Sequence, residues 1–185
     1  MIKEIIINSS DLKDKPVVIR HTARAIIFVG NELVMAYSNK FNDYMFPGGG
    51  VIEGEIIEDA LKRELKEELG VEEISKIKEL VQVVELRNYS FEYNLKQMSR
   101  YFLVEAIKFG EQALETYEMN FGLQPKYVSI DQAIKSNELE ILRREKENVK
   151  GVHPYATLIR ENQVLEFLKK NKDQINEFYR REVIK

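Results

Sequence analysis

The stretch that decides the fold runs from Gly49 to Val71 and reads GGVIEGEIIEDALKRELKEELGV. Its opening glycines exclude regular helix and allow the backbone to approach another segment or a ligand closely. From Glu55 to Leu69 a helix is expected, because Ile57, Leu61, Leu65 and Leu69 recur at the spacing of one helical face. Gly70 then stands in the C-cap position. The same helix carries Glu55, Glu64, Glu67 and Glu68, with Arg63 set among them.

At about 100° per residue, Glu64, Glu67 and Glu68 take neighbouring places on one face. Glu64 and Glu68 are like-charged i,i+4 partners, which costs an isolated helix roughly a few tenths of a kcal/mol. Glu68 also falls between Ile57 and Leu61, at the edge of the apolar stripe. A carboxylate held there beside two others needs a compensating cation, or its pKa must rise. A hard divalent ion with oxygen ligands would supply that cation, and Arg63, i,i+4 to Glu67, would hold Glu67 in position. The competing reading is a solvated acidic face with incidental ion pairs, and helix geometry alone leaves both open.

Working outward, FNDYMFPGG precedes the helix, and its proline and glycines again forbid regular structure. Upstream, Ile2 to Ile7 reads as a short leading strand and Ser9 to Pro16 as a polar connector. VVIRHTARAIIFV (Val17 to Val29) and ELVMAYS flank Gly30-Asn31 as the two strands of a hairpin. Downstream, VEEISKIKELVQVVELRNYSFEY and KQMSRYFLVEAIKF read as antiparallel partners across Asn94-Leu95. Tyr89, Phe91 and Tyr93 alternate at strand spacing and are expected on one face. Gly110 to Gln124 reads as an acidic, aromatic loop, PKYVSI as a further strand, and Ser129 with Gln132 as a capping box opening the helix DQAIKSN. The rest is charged and helical apart from a break at Gly151 to Pro154. A last helix, about Leu158 to Phe178, carries the apolar set Val164, Leu165, Leu168, Ile175 and Phe178, for packing on the parent domain or, as the alternative, for a homodimer contact.

Composition narrows the function classes. The chain has 185 residues, 44% hydrophobic and 32% charged, as expected of a globular domain. A net charge of -3 gives no basic footprint for a nucleic acid, while small anionic substrates stay open because a metal can supply positive charge. The absence of cysteine excludes disulfides, thiolate metal sites and a thiol nucleophile. No window reads as a signal peptide or a membrane span, so a cytoplasmic location is the expectation.

The spacing from Gly49 through Glu55 to Arg63-Glu64-Leu65-Lys66-Glu67-Glu68-Leu69-Gly70-Val71 resembles, without a departure, the box of the Nudix hydrolases, GX5EX7REUXEEXGU. The resemblance implies an α+β fold, a Nudix-type α/β/α sandwich with a mixed sheet between helices. It implies a single domain over 1–185, with about 17–137 as the common core and 138–185 as a helical C-terminal extension. The activity implied is hydrolysis of a pyrophosphate bond in a nucleoside diphosphate linked to another moiety, with Mg²⁺, or Mn²⁺, required. Carried over by position, Glu64, Glu67 and Glu68 are metal ligands, with the Gly49 carbonyl beside them, and Glu55 with Arg63 orients the cluster. A further acid outside the box is expected as ligand or general base; Glu118 is the first candidate, then Glu115, then Glu105.

The leaving group must be read by residues outside the box. Arg20, Arg24 and Lys40 are candidates for phosphates, and Tyr44, Phe46, Tyr89 or Phe91 for stacking on a base; surface charge and core packing are the plain alternatives. Tyr89 stands where the dinucleoside polyphosphate hydrolases of the family are similar in carrying a tyrosine. The proline of the ADP-ribose group and the extended motif of the NADH group are not seen. Two other classes are a non-catalytic Nudix-fold sensor, disfavoured by the complete box, and an RNA 5'-end pyrophosphohydrolase, disfavoured by the acidity. A small nucleotide-type molecule is the expected partner.

Overall fold

The computed structural model describes residues 3–8, 12–147 and 156–180. The box helix α1 (Ile57–Leu69) lies among strands β1 (Lys3–Asn8), β2 (Val17–Ile26), β3 (Phe28–Val29), β4 (Glu32–Ser38), β5 (Asp43–Met45) and β6 (Gly48–Gly50) before it, and β7 (Val71–Asn88) and β8 (Asn94–Phe109) after it. Helix α2 (Thr116–Phe121), β9 (Leu123–Val128), α3 (Ile130–Glu147), α4 (Ala156–Lys170) and α5 (Lys172–Tyr179) complete the order. One sheet runs β1-β7-β8-β2-β6, with β1 parallel to β7, β2 parallel to β8 and the other pairs antiparallel. In the second sheet β4 pairs with β3, β5 and β9. This is the mixed sheet between helices expected of the box.

Strand alternation sorts the core into two layers. Phe102 and Val104 of β8 join Ala23, Ala25, Leu61, Leu65 and Leu69 beneath α1, while Tyr101 and Leu103 face the other way, toward Val164, Leu165, Leu168, Ile175 and Phe178 of α4 and α5. Leu61 and Leu65 are fully buried, so truncating either to Ala would cost about 2–5 kcal/mol. Gly70 closes α1 in the left-handed conformation, its N–H returning to the Leu65 and Lys66 carbonyls.

Several expectations change. The Gly30-Asn31 hairpin is confined to β3 and the start of β4, because β2 leaves for the larger sheet and pairs with β8 instead. The connection between β7 and β8 turns at Tyr89 to Tyr93, not at Asn94-Leu95, since Asn94 already pairs with Asn88; the three aromatics there sit in a loop rather than on a strand face. The span read as a loop from Gly110 contains α2, capped by Glu115 and Glu118 reciprocally. The last helix is two, parted at Asn171, and its apolar set is buried in the core of this chain. The expected break at Gly151 to Pro154 lies outside the described residues. No helix among the described residues is long and apolar enough to cross a membrane.

Candidate active site

Against the expectation that its proline and glycines forbid regular structure, the glycine turn is itself strand β6, paired as Thr22↔Gly50, Ala23↔Gly49 and Arg24↔Gly48, because β2 offers it a backbone edge. Gly48 has φ 127°, and a Cβ there would collide with the Ala23 carbonyl. A Cβ on Gly49 would run into the Glu64 carboxylate. The turn is therefore pressed between β2 and α1, which at Gly48 only glycine allows. That closeness lets the Gly48 N–H donate to Glu68 Oε2 at 2.6 Å.

Arg63 ties the box together through its fork. Nε donates to Glu55 Oε1 at 3.0 Å and Nη2 to Glu55 Oε2 at 3.2 Å. Nη1 donates to Glu64 Oε1 at 2.8 Å and Glu67 Oε2 at 3.2 Å, and Nη2 reaches the Gly50 carbonyl at 3.0 Å. A lysine could not make this set, because its donors sit on one atom. Glu55 is held below the usual carboxylate range by Arg63 and by the Ile52 N–H, and Arg63 is held further above its ordinary value, chiefly by Glu55.

Glu64, Glu68 and Glu118 each offer a carboxylate oxygen within 4.8 Å of the others. All three are buried. Burial pushes Glu64 upward against the pull of Arg63, and pushes Glu68 up to about 8 although Arg24 and the Gly48 N–H oppose it. Glu118 arrives through the cap of α2, its Oε2 accepting the Glu115 N–H at 2.7 Å. Three buried carboxylates converging on one point fit a hard divalent ion with oxygen ligands. Of the expected set, Glu67 lies outside this group: it is one quarter exposed and bonded to Arg63. Glu115 is exposed, and Glu105 is taken by the Ser75 hydroxyl at 2.5 Å.

Among the substrate candidates, the exposed Arg20 lies over Gly50, its Nη2 3.3 Å from where a Cβ would sit. Arg24 Nη1 donates to the Phe46 carbonyl at 3.0 Å. Lys40 lies over the Phe41 and Phe121 rings, and Tyr44 packs on Tyr37 with centroids 4.8 Å apart. Phe46 corrects the expectation: it is fully buried, edge-on to Tyr101, and has no face for a base. Tyr89 is half exposed and stacked on Tyr93 at 5.5 Å, and Phe91 is fully exposed. Sequence reasoning missed Arg87, whose guanidinium lies 5.2 Å from the Tyr89 ring centre. It missed as well the buried group of Arg160, Glu161, Glu85 and Tyr101 behind Phe46. A charged pair at Glu85 and Arg87, alternating within a β-rich run, was the available signal.

A family model described as NUDIX domain matches residues 19–149. The chain belongs to the Nudix family. It is a Nudix pyrophosphohydrolase with its box intact, and the box occupies the site built around α1 and the glycine turn. The fold is similar to that of a MutT Nudix hydrolase from Burkholderia pseudomallei, 19% identical, with a TM-score of 0.50 over 62% of this chain and 86% of that one. A putative nudix hydrolase family member from Chromobacterium violaceum is 18% identical, with a TM-score of 0.42 over 88% and 99%. No curated protein matches the chain.

Proposed function

We propose that this Nudix protein hydrolyses a pyrophosphate bond in a nucleoside diphosphate linked to another moiety, in the cytoplasm, with Mg²⁺ or Mn²⁺ as cofactor. The observation that carries the reading is the convergence of Glu64, Glu68 and Glu118 beside the glycine turn. In this reading those three hold the ion, with the Gly49 carbonyl adjacent. A divalent ion, when bound, screens the diphosphate charge and acidifies the attacking water.

The remaining work falls to the chain's own groups. Arg63, fixed by Glu55, orients Glu64 and Glu67, and the Gly48 N–H fixes Glu68. Glu67, bonded to Arg63 through Oε2, keeps its place as a candidate ligand beside that group and is also placed to take the proton of the attacking water. Arg20, over Gly50, and Arg24 bring positive charge to the phosphates on the turn side, and Lys40 does so beside α2. Tyr89, backed by Arg87 and Tyr93, offers an aromatic face to a base, and Tyr44 offers a second. With no covalent nucleophile in the set, positioning and electrostatics carry the rate. The cysteine-free composition supports the reducing compartment.

The test is Glu68→Gln, checked for folding by circular dichroism and assayed with Mg²⁺ on the best nucleotide substrate. A loss of roughly 10²-fold or more in kcat is expected; wild-type turnover in a folded variant would sink the proposal.

A further inference from the structure

Phe46 lies between β5 and β6, so its N–H has no strand partner. A buried N–H needs an acceptor, and here it comes from far along the chain: Glu161 Oε2 of α4, at 3.0 Å. Glu161 is completely buried. Its other oxygen accepts from Arg160 Nε at 3.1 Å, Arg160 Nη2 at 2.8 Å and the Tyr101 hydroxyl at 3.4 Å. The carboxylate is thus clamped on one side and grips the Phe46 amide with the other.

Phe46 leads directly into the glycine turn of the site. Its carbonyl accepts from Arg24 Nη1, the Pro47 carbonyl accepts the Ala25 N–H at 2.8 Å, and the Gly48 N–H donates to Glu68. Three consecutive residues are pinned, and the first pin belongs to helix α4, 115 residues along the chain. We infer that Glu161 is a positioning residue for the hydrolysis, setting the glycine turn against Glu68 through the Phe46 amide. The inference rests on the proposed hydrolase function for its consequence in rate, though not for its geometry.

Glu161→Gln keeps the shape and breaks the arrangement. The single amide oxygen can serve Phe46 or Arg160, and in either choice one set of donors loses its acceptor. Displacement of the turn should lower kcat roughly 10- to 100-fold, a larger change than in KM, because no substrate-binding side chain is itself replaced. In the double variant Arg160→Met with Glu161→Gln, the competing guanidinium is gone, so the oxygen can turn to Phe46. Glu85 keeps Arg87 as its partner, and in double-variant protein shown to be folded by circular dichroism kcat should recover to within about threefold of wild type. Leu168→Val, a buried change two turns along α4 that alters neither the Glu161 carboxylate nor the Phe46 amide it holds, weakens the same helix and should leave kcat unchanged.

A second readout needs no activity: the backbone amide signals of Phe46 and Gly48 in protein carrying ¹⁵N at Phe and Gly. Both should shift in Glu161→Gln and neither in Leu168→Val. Wild-type kcat in Glu161→Gln, an equal loss in Leu168→Val, no recovery in the double variant, or unmoved Phe46 and Gly48 signals would each overturn the inference. If wild-type protein turned over no nucleotide at all, the function reading would fail, and the amide signals alone would decide this one.

Discussion

Replacing Glu68 by Gln removes a buried ionisable group while keeping the side chain's shape and an oxygen for the Gly48 N–H. In the wild type, burial lifts the Glu68 carboxyl from 4.5 to about 8. Between those pH values the folded, cation-free protein holds a proton that the unfolded chain releases. Stability therefore falls as pH rises through this window and levels off above about 8. At about 1.4 kcal/mol per pH unit the ceiling on that loss is roughly 5 kcal/mol. Relaxation and water entry bring real penalties below such ceilings, so a loss of about 2 kcal/mol is the working expectation. The assay is urea unfolding in EDTA at a series of pH values from 5 to 9, wild type against Glu68→Gln. The two should agree near pH 5, and the Gln variant should be more stable by about 2 kcal/mol at pH 8 to 9. Adding Mg²⁺ at pH 8 should then stabilise the wild type and leave the variant nearly unchanged. A gap that does not vary with pH, or a Gln variant less stable at pH 8 in EDTA, would refute the reasoning.

Gly49→Ala should fold, since the atoms nearest the new methyl belong to the Glu64 side-chain carboxylate rather than to backbone, yet lose roughly 10²-fold in kcat because that carboxylate is pushed aside; steady-state kinetics beside a thermal melt checks both halves. Arg63→Lys keeps the charge but not the fork, and roughly a 10- to 100-fold loss in kcat is expected, read in the same assay. Away from the site, Arg144 is almost wholly buried against Asp43 and Glu140. Arg144→Met would leave both acids buried without it, costing about 3–5 kcal/mol and lowering the midpoint of thermal unfolding by roughly 10 °C.

The parts of this site that could be read from the sequence are those whose chemistry is local. The helix, its Gly70 cap and the pairing of Arg63 with Glu67 follow from spacing, because i,i+4 geometry and a left-handed cap are set within a few residues; the pairing of Arg63 with Glu55, eight residues away, comes only from the resemblance to the box. Glu118 could be named as a candidate because acids concentrate in its segment. Helix α2, which delivers it, was hidden by its shortness and by a glutamate cap in place of Ser, Thr, Asp or Asn. Glu67 shows the limit of wheel geometry: neighbouring backbone positions are set by the helix, but Arg63 holds its side chain outside the group of Glu64, Glu68 and Glu118.

Phe46 stood open between stacking on a base and core packing, and the alternation of β8 decides for the core by placing Tyr101 against it. The partner of its N–H was harder to see. Glu161 precedes Val164, Leu165 and Leu168 by three, four and seven residues, so it falls on the apolar stripe of its own helix. That placement marks a buried acid, but nothing local says that the group it meets is an amide far up the chain. The parallel pairing of β2 with β8 escaped for the same reason, since long-range partners leave no mark in a hairpin pattern.

The most direct measurement of the central claim is product analysis for a panel of nucleoside triphosphates, sugar nucleotides, ADP-ribose and dinucleoside polyphosphates, with Mg²⁺ and again in EDTA. Cleavage of a pyrophosphate bond in at least one of them, abolished by EDTA, is the result expected. Binding of those nucleotides without turnover in either Mg²⁺ or Mn²⁺ would contradict it and mark the chain as a sensor.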